Sequence, residues 1–499
     1  MVFIEGMGTS GDGHRSYLRP TYVRIDLGAL ARNFARIRDL VAPRRVWCVV
    51  KADAYGHGAV EVARRLATAG AEAFAVATVD EGIELREAGI EGELLLMGGI
   101  EPLRFDRDAS GRGVDANDSD GSEASATRSS GRNGERARSR DAAAAVAHYR
   151  LSVAVWGPEA AVELGAAARG SGTGPIDLHL KADTGMGRLG VRVDDSCDAA
   201  VELAGRVAAT EGVRLAGLFS NLAAADAPPG APGAAFTGEQ VSRFARLCTA
   251  LEARGLLPVH RHLAHSAALQ QHAASWAAEW CNGVRPGLAL YGASLIAGAG
   301  EVDDHSGDAG SRVGADERPG RAATRMNAPA SGRRQGDHGE GKAGLRAPQP
   351  WPRLEPVMSW HSAVAAVREV PAGWPLGYGA GRRAERASTI GVVAVGYHDG
   401  LPRALGDRAE VLVAGRRAKV VGAISMDLTL VDISGIAEAR VGAPVVIFGR
   451  DPAPGGGSIA LESGSIAVEE VAGWAGSIAH EVLCRISKRV PRRFVETVS

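Results

Sequence analysis

Eight short apolar runs constrain the fold of this chain more than any other feature. They are Val46–Val50, Phe74–Val76, Leu94–Met97, Leu151–Val155, Asp177–Leu180, Ala216–Phe219, Arg261–Ala264 and Gly283–Arg285, and each but the last leads into helical sequence or an insertion. Runs this short and this apolar suit strands buried on both faces, which occur where crossover helices cover a parallel sheet. The helical stretches carry the matching period: Val62 and Leu66 stand four apart within Val60–Ala69. Ahead of the first run, Leu27–Val41 places Leu30, Phe34, Ile37 and Val41 on one face. Eight strand–helix units within about 250 residues predict an α/β fold, a (β/α)8 TIM-like barrel.

The texture changes beyond the barrel. From Trp351 the short runs Val364–Val370, Ile390–Val395, Glu410–Val413, Lys419–Val421, Leu428–Ile433 and Val445–Phe448 are separated by Gly, Pro and Asp turns, which predicts a mainly β C-terminal domain. Tyr22–Asp26 alternates like a strand, precedes the barrel, and is expected to pair with that second domain. Two stretches interrupt the pattern. Asp106–Asp141 has no Leu, Ile, Met or aromatic residue, and Ala297–Pro350 has only scattered apolar ones, so neither buries enough surface to offset the cost of ordering. The expected organisation is a flexible tail over 1–18 and a barrel over 19–296 with a disordered insertion at about 104–142. A second disordered insertion follows at 297–350, then a β-rich domain at 351–499.

With 499 residues the chain has room for two domains with ample core. Its formal charge of −1 argues against binding nucleic acid or membrane surfaces through bulk charge. Five widely spaced cysteines with no CxxC pair indicate neither a disulfide framework nor a metal site, and a reducing cytoplasm is the expected location. No basic-then-apolar leader opens the sequence, and no run of roughly eighteen apolar residues predicts a membrane span.

The chemically unusual residues gather where barrel strands end. Lys51 follows the first strand and precedes the glycine-flanked loop Ala52-Asp53-Ala54-Tyr55-Gly56-His57-Gly58. Lys181 and the loop to Gly190 follow the fifth, Asn221 the sixth, His265-Ser266 the seventh, and Arg285-Pro286-Gly287 the eighth. These C-terminal ends are the face on which barrel enzymes build active sites, and the loops after strands seven and eight commonly hold phosphate. A lysine desolvated along its stem loses its proton readily and can form an imine. Such a lysine beside a phosphate cradle in a barrel suggests pyridoxal phosphate as cofactor.

On these motifs the chain resembles the alanine racemase family of fold-type III pyridoxal-phosphate enzymes. The matching stretches are Val50–Gly58, Asp183–Gly190, Arg285–Gly292, Gly377-Tyr378-Gly379, Gly396–Gly400, Ile424–Asp427 and Arg489–Arg492. The resemblance implies interconversion of L- and D-alanine by two opposed bases, supplying D-alanine for peptidoglycan, in a homodimer whose active sites are shared between subunits. It implies Lys51 as cofactor-binding lysine and one base, and Tyr378 of the partner subunit as the other. Arg188 would orient the cofactor's phenolic oxygen and the substrate carboxylate, assisted by Met426 of the partner subunit, while Tyr55, Ser266, Gly287 and Leu288 would hold the phosphate. Arg285, linked to His262, would face the pyridine nitrogen and, being unable to give up its proton, keep that nitrogen unprotonated. Lys181 matches a lysine carbamylated in some members.

Three positions depart from the family pattern around the cofactor. Asn221 stands where a histidine is usual, His265 where an asparagine is usual, and His480 where a tyrosine contacts the phosphate. The first pair suggests an exchange, with His265 reaching across to the hydrogen-bond chain of Arg285 and His262. Other readings of the same scaffold are a serine or broad-spectrum amino-acid racemase and, from another class, a non-catalytic pyridoxal-phosphate-binding protein. The second domain and Tyr378 argue against the latter, since such binding proteins are typically a lone barrel.

Overall fold

The computed structural model describes residues 19–100, 139–294, 351–450 and 464–497. The expected tail and the insertion at 297–350 lie outside them, as does the insertion at 104–142 apart from its last residues. Those begin a helix over 139–148 that buries Ser139, Ala143, Val146 and Ala147. Among the described residues no helix is long and apolar enough to cross a membrane.

After β1 (Tyr22–Asp26) come β2 (Arg45–Val49), β3 (Ala73–Val76), β4 (Glu93–Leu96), β5 (Ser152–Val155), β6 (Ile176–Asp183), β7 (Val191–Arg192), β8 (Val213–Phe219), β9 (His260–His265) and β10 (Gly283–Arg285). The order β5-β4-β3-β2-β10-β9-β8-β6, closed by pairing of β5 with β6, is an eight-stranded parallel barrel, with β7 attached to β6. All eight expected strands are present. The helix Leu27–Val41 runs as its apolar period predicts, burying Leu30, Phe34, Ile37 and Val41, and Asp26 caps it by accepting from the Ala29 amide at 3.0 Å.

Two boundaries differ in a way that matters for the site. Strand β6 extends beyond Leu180 because Ala182 and Asp183 pair with Val191 and Arg192, so Lys181 lies inside the strand rather than after it. Strand β9 likewise takes in His265, which lies opposite Arg285, itself the last residue of β10.

The second domain is built on β11 (Met358–Val370), β12 (Pro375–Leu376), β13 (Arg382–Arg383), β14 (Ser388–Val393), β15 (Glu410–Val413), β16 (Arg416–Lys419), β17 (Thr429–Asp432), β18 (Pro444–Arg450), β19 (Ser465–Ile466) and β20 (Arg492–Val495). Its main sheet runs β16-β15-β18-β11-β1-β20, with β14 also pairing β11 and β17. Strand β1, the first among the described residues, therefore sits inside the second domain's sheet, antiparallel to β11 and parallel to β20, as expected. The strand expected over Lys419–Val421 instead spans Arg416–Lys419. Ala414 and Gly415 both have positive φ, 49° and 79°, and such a two-residue turn returns the chain directly into the partner strand.

Candidate active site

The site starts from the geometry that follows β2. Beyond Lys51, Ala52 to Tyr55 all have φ between 52° and 55°, a left-handed turn made without glycine. Each such residue costs about 1–2 kcal/mol, so surrounding contacts must hold the turn. Glu81 accepts from the Ala52 amide at 2.7 Å, Asp53 accepts from the Ala59 amide at 2.8 Å, and the Ala54 amide donates to the Val50 carbonyl at 2.8 Å. The result aims Lys51 and Tyr55 from a rigid strand end. Burial, and then the nearby Arg188 guanidinium, lower the Lys51 pKa.

Arg285 is buried against the barrel interior. It donates to His262 Nδ1 at 2.6 Å, to the His262 carbonyl at 2.7 Å and to the Ser220 carbonyl at 2.6 Å, and burial lowers its pKa to about 10. Lys181 is buried nearby, 5.3 Å from the Phe219 ring centre; burial and the Arg188 and Arg285 charges bring it down to about 8. Asn221 sits between two guanidinium groups. One end of its amide lies 3.3 Å from Arg285 Nη2 and the other 3.2 Å from Arg188 Nη2, and its oxygen serves one of them at a time. Turning that oxygen toward Arg188 also lets the amide nitrogen donate to the Ser220 carbonyl at 3.2 Å.

His265 does not join this chain. Its Nε2 faces the Leu222 carbonyl at 3.3 Å, and burial lowers its pKa to about 4. The expected reach to Arg285 and His262 is thus corrected: the strand carries His265 past Ala264 and turns its ring to the loop after β8, leaving Asn221 beside Arg285.

A compact cradle lies at the ends of β9 and β10. The Gly287 and Ala289 amides both donate to Ser266 Oγ, at 2.9 and 3.1 Å, and Leu288 is buried between them. A Cβ on Gly287 would collide with the Tyr55 hydroxyl and come within 3.0 Å of Tyr55 Cζ. The Tyr55 ring is held between Tyr291 at 5.1 Å and His480 at 5.5 Å between centroids, and burial raises its hydroxyl pKa. His480 Nδ1 is buried without a partner among the described residues, and burial, then Lys51, lower its pKa. Two hydroxyls and an uncommitted imidazole nitrogen, beside two backbone N–H groups that here donate to Ser266 Oγ and could turn to a ligand oxygen, fit a phosphate ester, with Lys51 nearby.

Tyr378 and Met426 belong to the second domain and face outward, 74% and 51% exposed in the single chain. Among the described residues neither side chain hydrogen-bonds a barrel residue. Sequence reasoning missed Glu81, which pins the turn after Lys51, although its capping box with Thr78 is visible as Thr-x-x-Glu. It also missed Gln240, buried on the helix Pro232–Glu252, which donates to the Asn221 carbonyl at 3.1 Å and accepts from the Ala223 amide at 2.8 Å. A lone glutamine on a long helix carries no sequence signal for such a contact.

The family model for the N-terminal domain of alanine racemase matches residues 25–114 and 119–295, and that for the C-terminal domain matches 357–494. An alanine racemase from Sorangium cellulosum is 33% identical over 482 residues, covering 96% of this chain and all of that protein. One from Desulfovibrio desulfuricans is 30% identical, with the same coverage. Among solved structures, alanine racemase from D-cycloserine-producing Streptomyces lavendulae matches with a TM-score of 0.70 at 28% identity over 97% of this chain and 99% of that one. The biosynthetic alanine racemase from Pseudomonas aeruginosa matches with a TM-score of 0.64 at 29% identity, covering 96% and 100%.

Proposed function

The chain belongs to the alanine racemase family, and from that premise we propose that it interconverts L- and D-alanine with Lys51 and Tyr378 of the partner subunit as opposed bases. The enzyme is a pyridoxal-phosphate-dependent racemase. The observation that carries the residue assignment is the meeting, at one end of the barrel, of a lysine with lowered pKa, a donor-only guanidinium and a phosphate-shaped cradle. Tyr55, Ser266, Gly287, Leu288 and His480 would hold the phosphate, and Lys51 would hold the cofactor covalently. When bound, the cofactor supplies a sink for the electrons left when the Cα proton departs.

The chain's own residues do the rest. Lys51, with its ammonium destabilised by burial, has access to the neutral amine that a base needs. Inversion requires a proton to leave one face of Cα and another to arrive on the opposite face, so a second group must stand across from Lys51. Tyr378 is the candidate, because its ring is exposed in the single chain and so free to meet a partner subunit. The exposed apolar side chains Met426 and Leu428 of the same domain support a homodimeric contact there. Arg188 would orient the substrate carboxylate, held near Lys51 by its contact with Asn221. Arg285 and Asn221 would face the cofactor ring, and Arg285, which donates and cannot accept, limits how far the ring withdraws electrons. Lys181, buried with a pKa of about 8, has the partly neutral amine that carbamylation requires. The reading extends to a cytoplasmic enzyme supplying D-alanine for peptidoglycan.

The test is a pair of substitutions. Lys51→Ala should lose the cofactor's imine absorbance and all D-alanine formation from L-alanine, and Tyr378→Phe should lose racemisation while keeping the absorbance. Mixing the two inactive proteins should restore activity in heterodimers. Proven subunit exchange without recovery would place both bases in one chain.

A further inference from the structure

The contact between Arg285 and His262 is the last link of a longer path through the barrel. His262 Nε2 lies 2.9 Å from His179 Nδ1. His179 Nε2 lies 3.4 Å from Glu93 Oε1, close enough to pair but outside hydrogen-bond geometry, and has no hydrogen-bond partner among the described residues. Glu93 opens β4 at the N-terminal end of the barrel, opposite the end that carries Lys51. It accepts from Trp47 Nε1 at 3.2 Å and pairs with Arg45 at 3.1 Å.

Only one arrangement of protons satisfies this path. Arg285 can only donate, so His262 Nδ1 must accept and its proton sits on Nε2. That proton is donated to His179 Nδ1, which must also accept, so the His179 proton sits on Nε2 and points at the Glu93 carboxylate. A carboxylate held by an arginine and an indole can only accept. Both ends therefore demand the same direction: Arg285 to His262 to His179 to Glu93.

The interior is shaped around this path. His262 is sandwiched between Trp47, 4.5 Å away at 23°, and Phe219, 5.2 Å away at 5°. A Cβ on Gly217 would collide with the His179 imidazole, and one on Gly283 with the Trp47 indole. Burial, and then the Arg285 charge, push the His262 pKa far down, which keeps the acceptor free. Burial opposes ionisation of Glu93, but its contacts with His179, Arg45 and Trp47 outweigh it and lower its pKa. Among the described residues no carboxylate forms an ion pair with Arg285 directly.

We infer that Glu93 is a positioning residue for the racemisation site, acting from the far end of the barrel as the relayed counter-charge of Arg285. Through His179 it reinforces, from the far side, the His262 tautomer that Arg285 itself selects, and so steadies the acceptor that orients the guanidinium. The inference rests on the proposed role of Arg285 toward the cofactor ring, and the test separates the two. Holoenzyme labelled with 15N-histidine should show both His179 and His262 as neutral rings protonated on Nε2, with signals assigned by their loss in His179→Asn and His262→Asn. A ring protonated on Nδ1, or an imidazolium, at either position in the wild-type enzyme overturns the relay without any Glu93 variant. Glu93→Leu leaves the buried His179 N–H without an acceptor, a loss that should erode the tautomer preference by about tenfold or more. Glu93→Gln retains an acceptor oxygen and should rescue the single tautomer. A tautomer preference as strong in Glu93→Leu as in the wild type would overturn the proposal. In the same variant, half-transamination of the cofactor, read as loss of its imine absorbance during turnover, should rise by about tenfold. Shifted tautomers with no rise would leave the relay standing and overturn the role given to Arg285.

Discussion

Gly287→Ala tests the phosphate cradle with a single methyl group. Gly287 has φ −118°, outside the left-handed region that favours glycine, so the substitution acts chiefly by adding volume. The new Cβ would collide with the Tyr55 hydroxyl and lie 3.0 Å from Tyr55 Cζ, where carbon atoms pack comfortably at about 3.5–4.0 Å. Relief requires a shift of roughly half an ångström or more at Cζ. Tyr55 has little room to give it: Tyr291 and His480 flank its ring, and its backbone lies in the left-handed turn. Overpacking of this kind costs about 1–3 kcal/mol, and because it falls on groups that hold the phosphate, most of it should appear as weaker cofactor binding, about 5- to 150-fold in Kd. The assay is titration of the stripped enzyme with pyridoxal phosphate, followed by visible absorbance. Tyr55→Phe in the Gly287→Ala background removes the hydroxyl that collides first and should recover part of the loss. A wild-type Kd for Gly287→Ala would refute the reasoning, and no recovery in the double variant would show that the hydroxyl is not the obstacle.

Asp399 is fully buried, binds Arg19 and Arg489 and accepts from the Gly396 amide at 2.9 Å; Asp399→Asn strands two partly exposed arginines and should cost about 2–3 kcal/mol in chemical denaturation. Burial opposes ionisation of Asp399, but Arg19 and Arg489 outweigh it and depress its pKa, so its contribution is complete above the unfolded value of about 3.9 and lost as pH falls through the lower folded one. The gap between wild type and variant should therefore close in acid, and a gap that persists there would point to packing instead. Asn221→His and His265→Asn touch different partners, so their effects on kcat/KM should add to within about 0.5 kcal/mol; a coupling near 1 kcal/mol or above would revive a functional exchange. Ala52→Gly relieves an exposed left-handed residue and should raise stability by about 0.5–1 kcal/mol, whereas a loss would contradict the turn.

What the sequence revealed, and what it hid, follows from the range of the interactions. Most of the barrel strands announce themselves because they are apolar on both faces, a property of a few adjacent residues. Lys51 stands out because a charged residue ends such a run. The left-handed turn after it has no local signal: Ala52 to Tyr55 prefer other conformations, and Glu81 and Asp53 impose this one. Lys181 reads in sequence as lying beyond its strand because the partners that extend β6, Phe219 and then Val191 and Arg192, come from later in the chain. Trp47 reads as ordinary packing in sequence, yet it stacks on His262 and donates to Glu93, contacts spanning 215 and 46 positions. Residue types and strand ends are visible locally; which imidazole meets which carboxylate is decided only when the barrel closes.

Strand β1 also sets an order of events during synthesis. It is made before any barrel strand, yet both its neighbours in the sheet, β11 and β20, come from the far end of the chain. At about 5–20 residues per second, Arg492 leaves the peptidyl-transferase centre roughly 25–95 seconds after Tyr22. The barrel strands between them pair locally and can close first, since nearby contacts form before distant ones repay their loop entropy. Until β11 is made β1 has no partner, and until β20 follows one of its edges stays an unpaired template tethered to a growing barrel. Its brevity, five residues with Arg24 among them, limits what it can capture meanwhile. Strand β1 is thus a latch that closes on its second side only once β20 has been made, and a ribosome that stops before β20 leaves that side open.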